Sequence, residues 1–232
     1  MSSTRRDFLG KVAANAAVLG AMPLAMDFSS LSLSASAMPT HPGQQGEKWD
    51  VSWTNKLTGK HKAVFDVPEV ESGYGVWRAS IWAKQYQEVL GAAPKDLSAA
   101  VVLRHNGIVL AMQQPFWDKY GIGKAKNVLH PVTQQPTDRN PVLLSSSRSE
   151  VPEQFDAVAL DKFLARGGVA LACNLALADC VELIKSKDGV SDAEARKQAI
   201  AYLVPGVILQ PSGVFAVIRA QEAVGASYIR AS

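Results

Sequence analysis

Residues 167–187, GGVALACNLALADCVELIKSK, decide the fold. Val169-Ala170-Leu171-Ala172-Cys173 is a short, wholly apolar run, the mark of a strand covered on both faces. It passes at once into a stretch, residues 176–187, that reads as a helix. A buried strand feeding a helix is half of a parallel crossover unit, because parallel strands need a long connection to return to the same sheet edge.

The pattern repeats outward. Upstream, Phe155, Val158, Leu160, Phe163 and Leu164 outline an amphipathic helix over 155–166 that ends at Gly167-Gly168. Downstream, Ser191 with Glu194 three residues on has the capping-box spacing for a helix over 192–203. Residues 207–210 read as a strand, 214–224 as a helix entered through Pro211-Ser212-Gly213, and 227–230 as a last edge strand. Nearer the start, 61–67 is a strand stopped by Pro68, and 77–90 a helix closed by Gly91 and Pro94. Residues 99–105 form a β-branched strand before an Asn106-Gly107 turn. Residues 113–149, punctuated by Pro115, Pro131, Pro136 and Pro141, predict a short helix over 116–120 and a long irregular loop. Residues 49–59 predict a short edge element. Alternating strands and helices call for an α/β fold with a mostly parallel sheet and helices on both faces.

The chain opens differently. Ser3-Thr4-Arg5-Arg6-Asp7-Phe8-Leu9 is a paired-arginine n-region, followed by a mildly apolar stretch over 12–26 and the small-x-small triplet Ala35-Ser36-Ala37. The order is that of a twin-arginine export signal cleaved after Ala37, which places the mature protein in the periplasm and implies export in a folded state. Pro23 and the short, alanine-rich stretch argue against a permanent membrane anchor. The rival reading is a basic tail on a cytoplasmic protein. The expected domains are a signal over 1–37, a flexible lead-in over 38–59 and one folded domain over 60–232.

Residues 1–37 hold three of the 24 Lys and Arg and two of the 21 Asp and Glu, so the rest carries a net charge of +2. That balance, without a basic cluster, is no footprint for nucleic acid. Cys173 and Cys180 are the only cysteines. On one helix, seven residues would set them roughly 10 Å apart, beyond disulfide reach. If Cys173 ends a strand the gap is open, but the thiols need not face each other. Free thiols are the expected state.

Reactive groups in an open parallel sheet gather beyond the carboxyl ends of its strands. Cys173 closes one strand and precedes a helix, with Asn174 or a near neighbour as cap, where the helix start favours a thiolate. His105 closes another strand. Ser212-Gly213 offers N–H groups at a third junction, an anion site or simply a helix cap. Each has a plain structural alternative: a buried core thiol, a solvated strand end, an N-cap. Cys180 reads as core packing. Trp77, Trp82, Phe116 and Trp117 read as core or subunit contacts. CxxC pairs, GxGxxG and a nucleophile elbow are absent, and His41, His61, His105 and His130 fall on separate elements, so neither a cofactor nor a metal is expected.

Four motifs in order carry a resemblance over residues 60–232: His105 with Gly107 after a strand, Cys173-Asn174-Leu175 after another, Leu203-Val204-Pro205-Gly206-Val207 leading into Pro211-Ser212-Gly213-Val214, and Arg219-Ala220-Gln221-Glu222 through Gly225 to Tyr228-Ile229. Together they resemble the DsrE/DsrF-like proteins. The resemblance implies a flavodoxin-like three-layer fold with about five parallel strands, assembled into dimers, trimers or hexamers. Some members of that family relay sulfur as a persulfide on a cysteine at the strand-to-helix junction, which Cys173 matches here. The export signal departs from the cytoplasmic relay that modifies tRNA, and the long 113–152 segment exceeds a minimal member.

The expected function is that of a periplasmic sulfur carrier or sulfurtransferase. Cys173 would hold the sulfur, His105, Asn174, Ser212 and Gly213 would steady the anion, and a donor or acceptor protein or small thiol would be the partner. The alternative is a non-catalytic homo-oligomer that binds a ligand or partner at the same crevice. A third reading is a subunit exported together with a redox partner.

Overall fold

Five strands carry the molecule: β1 (His61–Val67), β2 (Leu97–Leu103), β3 (Val169–Cys173), β4 (Ile208–Gln210) and β5 (Ser227–Arg230). The computed structural model describes residues 49–232; the expected export signal, its expected cleavage site and residues 38–48 of the expected lead-in lie outside the described residues. All pairings are parallel, in the order β4-β3-β2-β1-β5. The helices are α1 (Tyr74–Leu90), α2 (Gln114–Tyr120), α3 (Ile122–Ala125), α4 (Leu160–Ala165), α5 (Asn174–Asp188), α6 (Asp192–Ala201) and α7 (Gly213–Val224).

Chain order explains the layers. From β1 to β4 the chain steps across the sheet in one direction, so right-handed crossovers put the intervening helices on one face. There Ala63, Phe65, Val101, Leu103, Ala170 and Ala172 pack against Val76 and Ala79 of α1, Phe163 of α4, and Leu177, Cys180 and Ile184 of α5. The chain then returns to the far side of β1, which reverses the step and sends α7 across the opposite face. Val64, Ala100, Val102, Val169 and Leu171 pack there against Ala216, Val217 and Ala220. The result is a flavodoxin-like three-layer α/β sandwich. Both faces of the central strands are covered, which is why they read as unbroken apolar runs.

Three local outcomes differ from expectation. Residues 49–59 form a 3-10 helix, Ser52–Lys56, that buries Trp53 and Leu57 against the α7 face. Its indole Nε1 donates to Gln210 Oε1 at 3.0 Å, so the packed domain begins before residue 60. Strand β2 ends at Leu103, and the next turn is a 3-10 helix, His105–Ala111, entered with His105 at φ 50°. Gly107 is required in that turn, because a Cβ there would lie 2.3 Å from the Val67 carbonyl oxygen. The helix expected over 155–166 splits into a 3-10 turn, Glu153–Val158, and α4, because Ala159 is extended at φ −65°, ψ 149°. The long proline-rich segment is irregular but tied down: buried Asn140 donates to the carbonyls of Leu110 (3.1 Å) and Met112 (2.8 Å) and accepts from Val142 N–H.

Candidate functional site

Cys173 is the last residue of β3 and itself the N-cap of α5. Its Sγ accepts a hydrogen bond from the Ala176 N–H at 3.4 Å. Sequence spacing pointed to Asn174 or a neighbour as the cap, and the neighbour is the sulfur. The strand delivers the thiol to the helix axis, where unpaired N–H groups and the helix dipole converge. The residue is only 5% exposed. Asn174 is the first residue of α5; its Oδ1 accepts from Arg196 Nη1 of α6 at 2.9 Å.

Across the strand register, Cys173 lies opposite Gln210 of β4 on one side. On the other side, Ala172 pairs with Leu103, which puts Cys173 level with Arg104. Arg104 is the residue that sequence reasoning missed. Its Nε and Nη2 donate to the two carboxylate oxygens of Asp66 at 2.6 and 2.8 Å. Tyr228 Oη on β5 donates to the same carboxylate at 3.0 Å. Hydrogen bonding to Asp66 raises the Arg104 pKa above its ordinary value, and Cys173 is close enough to couple to the guanidinium electrostatically. Partial burial and the neighbouring carboxylate push the Tyr228 phenol up. Nη1 of Arg104 has no hydrogen-bond partner among the described residues.

The start of α7 closes over this row. A Cβ on Gly213 would lie 2.5 Å from Arg104 Cδ, so glycine is what lets the arginine stem pass beneath the helix. Ser212 is the N-cap of α7, its Oγ accepting from Phe215 N–H at 3.0 Å. Gln210 is fully buried and donates to the Asp50 carbonyl at 2.7 Å while accepting from Trp53.

The carboxyl edge of the sheet thus brings Cys173, Arg104 and Gly213 together, with Asp66 and Tyr228 fixing the arginine. His105 stands differently. Its side chain is 64% exposed, and Nδ1 pairs with Glu69 Oε1 at 3.2 Å in the loop after β1. Asn106 donates to the other oxygen of Glu69 at 2.9 Å. The signal for the missed pair was in the text: Asp66 interrupts the apolar second half of β1, and a buried carboxylate needs a cation.

Cys180 lies on the inner face of α5, where burial pushes its thiol pKa up to about 12. It is a core residue and a free thiol, as is Cys173. Among the described residues no group of three or more His, Cys, Asp or Glu could hold a metal ion. No protein-family model matches the chain, and no curated protein matches its sequence.

Proposed function

We propose that this protein is an exported sulfur carrier of the DsrE-like type, holding sulfane sulfur as a persulfide on Cys173. The observation that carries the reading is the position of Cys173 Sγ: at a helix N-cap, receiving a backbone N–H, and level with an arginine whose Nη1 has no hydrogen-bond partner among the described residues. Such a seat offers hydrogen-bond donors to a terminal persulfide sulfur.

The transfer balances without an outside oxidant. The Cys173 thiolate attacks the outer sulfur of a donor persulfide or polysulfide. The donor S–S bond breaks, and the donor leaves as a thiolate that takes up a proton. Cys173 is left with one added sulfur, and a thiol acceptor reverses the step. Arg104, and the N–H groups at Asn174 and Gly213, would steady the outgoing charge; His105 at the rim, paired with Glu69, would serve entry rather than the sulfur itself. The twin-arginine signal places this exchange in the periplasm, and a second copy of the chain is the expected standing partner.

Cys173→Ser is expected to abolish loading by a polysulfide donor, while Cys180→Ser loads as the unaltered protein does. Equal loading of the two variants would overturn the assignment. The low exposure of Cys173 favours one other reading, a non-catalytic module that binds a ligand or partner with a structural thiol. Alkylation of the native protein separates them. A carrier thiol reacts before unfolding, and a structural one only after it.

A further inference from the structure

The opposite end of the sheet holds a cavity of about 530 Å³, within the range of about 300–1,000 Å³ usual for small-molecule sites. Its walls come from α1, the amino end of β2, the Glu153–Val158 turn and the end of α4 with Gly168. Cys173 stands at the carboxyl ends of the strands, so the two places are separate.

Two features give the cavity a chemistry. The first is charge. Arg166 and Lys84 line it, and no Asp or Glu does. Lys84 faces Glu88 at 3.6 Å on the exposed side of α1. Arg166 has only neutral hydrogen-bond partners: Nη2 donates to Ser80 Oγ at 3.1 Å and to the Ala157 carbonyl. Asp161 acts on it at longer range, and among the described residues no carboxylate forms an ion pair with it. Burial pulls its pKa below the ordinary arginine value. Arg166 is an exposed residue lining the cavity with neutral hydrogen-bond partners, so an anion can reach its guanidinium, whose fork suits a carboxylate.

The second feature is the wall. Ile81, Trp82 and Phe163 line the same space. Trp82 is held by ring contacts with Phe65 (centroids 6.0 Å apart) and Tyr86 (4.9 Å), so it offers a fixed aromatic surface. With Lys84 facing Glu88, one cation without a carboxylate partner among the described residues stands beside aromatic and aliphatic walls, which matches a monoanion with an apolar body rather than a phosphate with several charges to satisfy.

We propose that this cavity binds a small aromatic carboxylate, its carboxylate on Arg166 and its ring against Trp82. The inference does not depend on sulfur carriage at Cys173.

Calorimetry with 2-naphthoate as the probe tests it. The expected result is saturable binding of one molecule per chain, at least tenfold weaker for neutral 2-naphthamide and for inorganic phosphate. Arg166→Gln should lose at least tenfold in affinity, and Arg166→Lys should recover part of that loss. Should Arg166→Gln fail to fold, Ala83→Trp, which fills part of the cavity and leaves Arg166 itself unaltered, should abolish binding. Absence of saturable binding, equal affinity for the amide, or unchanged affinity in a folded Arg166→Gln or Ala83→Trp variant would overturn the proposal. Polysulfide loading of Cys173 in the same variants should be unchanged, so failure of one site is distinguishable from failure of the other.

Discussion

Asp66 and Arg104 form the pair on which the candidate site rests. Asp66 is 2% exposed, and both its oxygens are engaged by Arg104, with Tyr228 adding a third hydrogen bond. Burying a carboxylate is costly unless it is paired, and removing one partner leaves the other charge uncompensated. Arg104→Ala should therefore destabilise the protein by roughly 3–5 kcal/mol, read as a lower midpoint in urea unfolding. A midpoint unchanged from the unaltered protein would mean that the pair is not held as described. The pair was only half legible in the sequence. A lone acid among the apolar residues 63–67 announces a buried partner, yet nothing in one-dimensional text says that the partner is Arg104. That follows from register, because β1 and β2 pair residue for residue from His61 with Leu97 to Val67 with Leu103. His105 was the more conspicuous residue by type, but the positive φ at its position turns it to Glu69 and the surface.

Elements were easier to read than residues. The central strands announced themselves as short apolar runs because both of their faces are covered, and the Ser191 and Ser212 caps mark helix starts where the N–H donors need an acceptor. The failures came where local geometry is decided by distant packing: the break at Ala159, the 3-10 turn after Arg104, and the Trp53 anchor, whose partner Gln210 lies 157 residues away. Helix α5 shows how an element sets the chemistry of its own residues. Leu177, Cys180 and Ile184 share its inner face, and burial there raises the Cys180 pKa from 9.0 to about 12. The folded state therefore holds the thiol proton after the unfolded chain has released it. This contribution to stability is complete below about pH 9 and is lost as pH rises toward 12, with a slope of at most about 1.4 kcal/mol per pH unit. Cys180→Ala should lower stability at neutral pH yet show a shallower alkaline decline. Parallel pH profiles for the two proteins would contradict the burial argument.

At the scale of the molecule, the two faces of the sheet are unequal. One is covered by several helices; α7 and the Ser52–Lys56 turn cover the other, and α7 leaves Val214, Phe215 and Ile218 exposed. These positions lie on one side of the helix, and the self-association proposed above would cover them. Sedimentation equilibrium should show more than one chain per particle, reverting to one in a Phe215→Glu, Ile218→Glu double variant. A single-chain mass for the unaltered protein would contradict self-association. Cavity and cysteine site alike are products of tertiary structure, assembled from segments far apart in the chain, which is why the sequence pointed to Cys173, Asn174 and Gly213 but not to Arg104 and Asp66. The central claim concerns that cysteine, and intact-mass analysis after incubation with a polysulfide donor tests it most directly. The account predicts added sulfur atoms that map to Cys173 and are removed by a small thiol; an unchanged mass, with Cys173 inert to alkylation until the protein is denatured, would contradict it.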